Sequence, residues 1–279
     1  MKTPVNLNPL LEIAVEAAIE AGNKTLEYYH KNVDVLLKVD KSFLTIADLE
    51  SNKIINKHLK ITEMPVLSEE NDIVPFCERK KWQRYWLVDP LDGTKEFVKN
   101  TPEYSVNIAF IEDCSPVLGV VYFPAMGILY YGVRNSGSCK ASVNDFISFS
   151  TIKKKSTSLP TYNSPHNKPV ILVSKSHLCE ETKLLTNKIR SSIGECIVEA
   201  FGSSLKFCLL ADGCADIYPR IGATMEWDTA ASQAIVEFSG CRIISLPDKL
   251  TLKYNKENLL NPSFIVYRKE MEQVLQGII

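Results

Sequence analysis

The chain has 279 residues, enough for one large domain or two moderate ones. Hydrophobic residues make up 45% and charged residues 23%, and 32 basic against 33 acidic side chains leave a net charge of −1. That balance excludes global attraction to a nucleic-acid polymer or an anionic membrane, while a small anionic ligand needs only a local positive patch. The eight cysteines form no Cys-x-x-Cys pair, so they read as reduced core residues rather than a zinc or redox motif. No run of 18 apolar residues occurs and the N-terminus has no apolar signal core. A cytoplasmic protein without a transmembrane segment is expected.

In chain order, Asn8-Pro9 reads as a helix cap with proline at the first helical position. Leu10, Leu11, Ala14, Val15, Ala18 and Ile19 then recur at helical spacing, predicting an amphipathic helix over 9–30. A short strand over 35–39 and a helix over 47–59, with Ile54, Ile55 and Leu59 inward, come next. Val66-Leu67 is a brief strand that ends in Ser68-Glu69-Glu70-Asn71-Asp72, and Trp86-Leu87-Val88 is the end of a buried one. Apolar runs over 104–111, 117–123 and 128–133, separated by short turns, predict an antiparallel meander. The polar stretch 151–168, with Lys153, Lys154 and Lys155, reads as a linker.

Beyond it strands and helices alternate: strands over 170–173, 196–200, 215–218 and 241–245, helices over 180–190, 203–211 and 228–239. The fold class expected is therefore α/β in two domains, 1–155 with an antiparallel sheet and 156–279 with a mixed or parallel one.

The most informative stretch is Asp89-Pro90-Leu91-Asp92-Gly93-Thr94. Proline and glycine end the strand and force a turn. Two carboxylates at a strand tip are not both buried unless positive charge sits between them, and a divalent cation such as Mg²⁺ is the economical source. Taken singly, other acids have plainer roles: Glu69-Glu70 as a solvated loop, Asp48 and Asp228 as helix caps. Taken together, Glu69, Asp89, Asp92 and Asp228 stand at ends of elements from both halves and can converge on an interdomain cleft. Four carboxylates suit a pair of cations that activates water and neutralises a leaving oxygen, with Asp89 bridging. Phospho-aspartate phosphatases also carry an Asp…Asp-Gly-Thr signature, but with one residue between the aspartates; here Pro90 and Leu91 intervene.

Asp89-Pro90-Leu91-Asp92-Gly93-Thr94, Glu226-Trp227-Asp228-Thr229-Ala230-Ala231 and the upstream Ser68-Glu69-Glu70 resemble the signatures of the lithium-sensitive, Mg²⁺-dependent inositol monophosphatase superfamily. Longer strings, Trp82 to Phe97 and Gly202 to Ala211 with Ser174-Lys175-Ser176-His177 and Tyr218-Pro219-Arg220, resemble its bacterial 3′(2′),5′-bisphosphate nucleotidase branch. The resemblance implies a layered α/β/α/β/α sandwich and hydrolysis of 3′-phosphoadenosine 5′-phosphate to AMP and phosphate. It implies one Mg²⁺ on Glu69, Asp89 and the Leu91 carbonyl, a second on Asp89, Asp92 and Asp228, and a weaker third near Asp48 and Glu69. Thr94 with Asp48 would orient and deprotonate the attacking water beside Glu69, and the scissile phosphate would lie over Asp92-Gly93-Thr94.

For the second phosphate and the base, Arg220 offers a planar fork, and Ser203, Ser204 and Lys206 follow Gly202 at a helix start. Lys206 snorkelling along a helix is the plain alternative. His177 is a further phosphate or ribose contact. The alternatives in function are inositol monophosphatase or fructose-1,6-bisphosphatase activity, or a silent phosphonucleotide sensor. The chain is expected as monomer or homodimer. Some relatives associate peripherally with the inner membrane, and no segment here supports that.

Overall fold

The computed structural model describes residues 5–31, 35–37, 43–143, 148–162, 166–176 and 178–279. Its strands are β1 (Leu36–Leu37), β2 (Phe43–Leu44), β3 (Val66–Ser68), β4 (Arg84–Asp92), β5 (Ser105–Glu112), β6 (Ser115–Phe123), β7 (Ile128–Val133), β8 (Gly137–Ser142), β9 (Thr157–Ser158), β10 (Val170–Ser174), β11 (Ile197–Phe201), β12 (Ile217–Arg220), β13 (Arg242–Ser245) and β14 (Phe264–Tyr267). The helices are α1 (Leu7–Leu26), α2 (Ile46–Leu59), α3 (Phe76–Arg79), α4 (Thr94–Val98), α5 (Phe149–Lys155), α6 (Glu180–Ile193), α7 (Leu205–Asp212), α8 (Glu226–Phe238) and α9 (Glu272–Leu275). Helix α1 starts two residues before the expected position, capped by Asn6, whose side chain accepts from the Asn8 amide.

β3 to β9 form a seven-stranded sheet in sequence order, parallel at β3–β4 and antiparallel from β4 onward. A second, five-stranded sheet has the order β11-β10-β12-β14-β13. β10 pairs parallel with β11 and β12, whereas β14 lies antiparallel between β12 and β13. Strand periodicity sorts the layers. Trp86, Val88, Val106, Ile108 and Phe110 face α1 and α2, where Leu11, Ala14, Val15 and Ile55 cover them. Tyr85, Leu87, Ala109 and Ile111 face the other way, onto a core shared with α7, α8 and the second sheet through Phe207, Ala230, Ile235, Leu172, Tyr218 and Phe264. The outer face of the second sheet, Ile171, Ile217 and Ile265, packs on Ile189 of α6 and on Leu275. The result is the expected five-layer α/β/α/β/α order.

Several local expectations change. The stretch read as a linker contains α5 and β9, and β9 adds an edge strand to the first sheet beyond residue 155. β8 and β14 carry no clean alternation and went unpredicted; β14 is a continuous apolar Phe-Ile-Val-Tyr run buried on both faces. Of the cysteines, Cys208 and Cys241 are buried, while Cys77 and Cys114 are exposed. No helix among the described residues is long and apolar enough to cross a membrane.

Helix α8 lies almost on the backbone of the first sheet. A Cβ on Gly119 of β6 would stand 2.1 Å from the Ala231 carbonyl oxygen, and one on Gly132 of β7 would stand 3.0 Å from that of Ala234. Glycine there, against a helix face of alanines, lets α8 approach closely enough for its first turn to reach the end of β4. Gly119→Ala is therefore expected to destabilise the fold by about 3 kcal/mol or more, because a helix backbone has to move. Urea unfolding of that variant beside wild type measures it.

Candidate active site

β4 and β3 bring the first two acids together. The β3–β4 register ends at Ser68 opposite Val88, and the Glu69 amide continues it by donating to the Val88 carbonyl at 3.2 Å. Glu69 is thereby laid beside Asp89. Asp89 follows Tyr85 and Leu87 on the face of β4 that α8 covers. The pairing with β5 then slips: Asp89 opposes Asn107 and Asp92 opposes Ser105, so Pro90 and Leu91 share one partner position. Proline has no N–H for the ladder, and the resulting bulge re-aims the chain. The Leu91 amide donates to Asp89 Oδ1 at 3.1 Å, the Leu91 carbonyl accepts from Thr94 Oγ1 at 3.3 Å, and the Leu91 side chain packs on Ala47, Phe97 and Tyr104. Gly93 has φ +90°, a backbone conformation that side-chain-bearing residues rarely adopt, and it lets the Thr94 helix turn start at once.

α8 delivers the third acid. Asp228 is the third residue of the helix and its Oδ2 accepts from the Met225 amide at 2.9 Å, so it caps the helix as its plain role requires. It also enters the cluster: carboxylate oxygens of Glu69, Asp89 and Asp228 all lie within 4.8 Å of one another. Burial and mutual repulsion push Asp89 and Asp228 well above the usual carboxylate range; Glu69 and Asp92 contribute to both.

Asp48 likewise does two things. Its Oδ2 accepts from the Thr45 amide at 2.8 Å and the Thr45 hydroxyl at 2.6 Å, closing a capping box on α2. Its Oδ1 accepts from Thr94 Oγ1 at 3.1 Å. Burial pushes Asp48 up to about 6, against the hydrogen bonds from Thr45, with the Glu69 charge raising it further.

Asp92 is not among the three gathered acids. Its Oδ2 accepts from Ser203 Oγ at 2.5 Å, from the Ser204 amide at 2.8 Å and from Ser204 Oγ at 2.8 Å, with Ser105 and Asn107 at 3.5 and 3.4 Å. Ser203 and Ser204, expected as substrate contacts, thus hold a carboxylate of the first half. Lys206 neither snorkels nor points outward: it is buried, and its ammonium donates to the carbonyls of Ser203 at 2.5 Å and Phe201 at 3.1 Å over the Tyr218 ring. Desolvation lowers its pKa to about 8. Arg220, buried at the end of β12, donates from Nη2 to the Ala223 carbonyl at 3.0 Å. His177 lies outside the described residues.

Supporting residues were missed. Ser105 and Asn107 are polar on one face of the otherwise apolar β5, and that two-residue spacing was a legible signal. Glu226, fully buried, accepts from the amides of Asn255 and Lys256 at 2.7 and 2.9 Å and from the Lys256 ammonium at 2.6 Å, fixing a distant loop to the start of α8. Nothing local in the sequence announces that pairing.

The model of the inositol monophosphatase family matches residues 6–277. The 3′(2′),5′-bisphosphate nucleotidase CysQ of Salmonella typhimurium is 40% identical over 264 residues, which take in 92% of this chain and 99% of that protein. The corresponding Escherichia coli protein is 37% identical over 263 residues, again 92% of this chain and 99% of its own. Among solved structures, CysQ from Bacteroides thetaiotaomicron, described as a bacterial member of the inositol monophosphatase family, superposes with a TM-score of 0.86 at 38% identity, covering 95% of this chain and 99% of that one. The chain belongs to the inositol monophosphatase family.

Proposed function

We infer that the protein is a Mg²⁺-dependent 3′(2′),5′-bisphosphate nucleotidase that hydrolyses 3′-phosphoadenosine 5′-phosphate to AMP and phosphate. The observation that carries this reading is the gathering of Glu69, Asp89 and Asp228 oxygens within 4.8 Å beside a hydrogen-bonded Thr94–Asp48 pair. The names of the 37–40% identical relatives supply the substrate class.

The donor set fits hard cations. It is all oxygen, partly buried, and costly to ionise without added positive charge. Glu69, Asp89 and the Leu91 carbonyl would hold one ion, Asp89, Asp92 and Asp228 a second, and Asp48 with Glu69 a weaker third. When bound, such ions neutralise phosphate charge and acidify water. The chain's own groups do the rest. Thr94 Oγ1 donates to Asp48 Oδ1, so its lone pairs are turned to accept from an attacking water while Asp48 is the terminal proton acceptor. A carboxyl held at about 6 is ionised at neutral pH yet basic enough for that role. Arg220, Ser203 and Lys206, with His177, are assigned to the nucleotide's 5′-phosphate and ribose.

Phosphate release from 3′-phosphoadenosine 5′-phosphate is expected to require Mg²⁺ and to stop with EDTA. Asp89→Asn is expected to lower kcat/KM by about a thousandfold or more, since it removes a bridging charge worth several kcal/mol of barrier; full retention of activity would defeat the cation reading. Arg220→Ala is expected to raise KM for the bisphosphate nucleotide by about tenfold while changing hydrolysis of inositol 1-phosphate little, as measured by parallel steady-state kinetics. The metal-free protein should show an unusual pH response. Burial pushes Asp48 up to about 6 when folded against 3.8 unfolded, and burial with mutual repulsion also holds Asp89 and Asp228 well above the usual carboxylate range. The native state thus binds more protons, so stability falls as pH rises from about 4 through about 6. Thermal melts in EDTA should show Tm dropping over that window, and saturating Mg²⁺ should abolish the drop; a flat EDTA profile would contradict the buried, uncompensated cluster.

A further inference from the structure

Two acids that no part of the mechanism uses grip the nucleotide side of the site from the first half of the chain. Glu103, in the loop between α4 and β5, divides its carboxylate between two elements. Oε1 takes the Lys175 ammonium at 3.0 Å, just past β10, and Oε2 takes the Gly202 amide at 2.6 Å, just past β11. Glu96, in α4, is buried and accepts from Ser176 Oγ at 2.5 Å. Its stem fills the space beside Gly202, where a Cβ would stand 2.6 Å from Glu96 Cγ. The Gly202-Ser203-Ser204 turn is therefore wedged between Glu96 and Asp92, and Ser203 within it holds φ +49°. Of the residues assigned above to the nucleotide, Ser203 lies on the second of the two loops so gripped, and Lys206 lies in α7, which that loop leads into.

We propose that Glu103 is a positioning residue that, together with Glu96, latches the 175–176 and 202–204 loops in the geometry that binds the non-reacting part of the nucleotide. A short, charge-assisted bond to a backbone N–H fixes a loop more firmly than a surface ion pair does. Glu103 makes both kinds at once, and only the Gly202 bond is shielded from solvent enough to matter; Lys175 is about half exposed and contributes alignment. On its other face the turn stays bonded to Asp92 through Ser203 and Ser204, so removing Glu103 loosens nucleotide binding before it disturbs the acids at the end of β4. This inference rests on the nucleotidase reading for its choice of substrate and on the hydrogen-bond geometry alone for the latch.

The test has two independent readouts on the full chain. Hydrogen exchange on the metal-free, substrate-free protein should show the 202–204 amides of Glu103→Ala exchanging at least about tenfold faster than wild type, with β5 unchanged, whereas Glu103→Gln, which keeps an acceptor for Gly202, stays protected. In steady-state kinetics with 3′-phosphoadenosine 5′-phosphate, Glu103→Ala should raise KM about tenfold with kcat within about twofold, and Lys175→Met should raise KM by no more than about threefold. Unchanged exchange at 202–204 would overturn the latch even in an active enzyme, as would a fall in kcat at constant KM. Loss of protection in an enzyme that does not hydrolyse the bisphosphate would leave the latch standing and remove the substrate assignment instead.

Discussion

Like charges brought together away from water repel, and everything around the end of β4 answers to that constraint. Asp89 is 1% exposed and Asp48 2%, and the Glu69 charge acts on both. Left free, such side chains would rotate apart or take up protons. The fold prevents rotation by tying one oxygen of each aspartate to nearby backbone: Asp48 to Thr45, Asp89 to Leu91, Asp228 to Met225, Asp92 to Ser204. The ties of Asp48, Asp89 and Asp228 are ordinary cap or turn bonds and that of Asp92 comes from the other half of the chain, yet each leaves a second oxygen for shared use. The plain reading of Asp48 and Asp228 as helix caps and their reading as site residues are thus the same arrangement seen from its two ends.

Backbone irregularity serves the same end. A regular β4 would send Asp89 and Asp92 to opposite faces of the sheet, since side chains alternate. The bulge at Pro90-Leu91 removes that alternation, and Gly93 at φ +90° turns the chain into α4 so that Thr94 returns over Leu91 to reach Asp48. Ser51 reinforces the bulge from α2 by donating to the Pro90 carbonyl at 2.6 Å, and Asn52 holds Ser68 at 2.8 Å on the adjoining strand. Two consecutive residues of one helix therefore brace the ends of both strands that carry the first acids.

Much of this was legible before any coordinates. The Asp-Pro-Leu-Asp-Gly-Thr run states its own geometry, because proline, glycine and two acids at a strand end admit few conformations; the change of pattern near residue 155 marks an antiparallel half and an α/β half, and the layer order is what the family resemblance implies. What was not legible depends on contacts far apart in sequence. β14 inserts between β12 and β13, and no local pattern tells a buried strand where to pair. The polar stretch 151–168 reads as linker by composition, but the Tyr131 hydroxyl bonds Ser156 and the Thr161 hydroxyl bonds Asp212, which fasten it to the two halves. Ser203 and Ser204 were assigned to substrate because a helix start attracts anions; the anion they hold here is Asp92.

That last exchange links the two halves of the molecule. Asp228 comes from the second half on a helix that glycines allow to lie against the first sheet, and the turn that holds Asp92 comes from the second half as well. In return, Glu96 and Glu103 of the first half hold that turn and its neighbour. The acids at the end of β4 and the loops past β10 and β11 therefore share one structural element, the Gly202-Ser203-Ser204 turn, bonded to Asp92 on one face and Glu103 on the other. On the reading proposed above, an anion at Ser203 would compete for the hydroxyl that Asp92 now uses, and a cation on Asp92 would satisfy the carboxylate in its place.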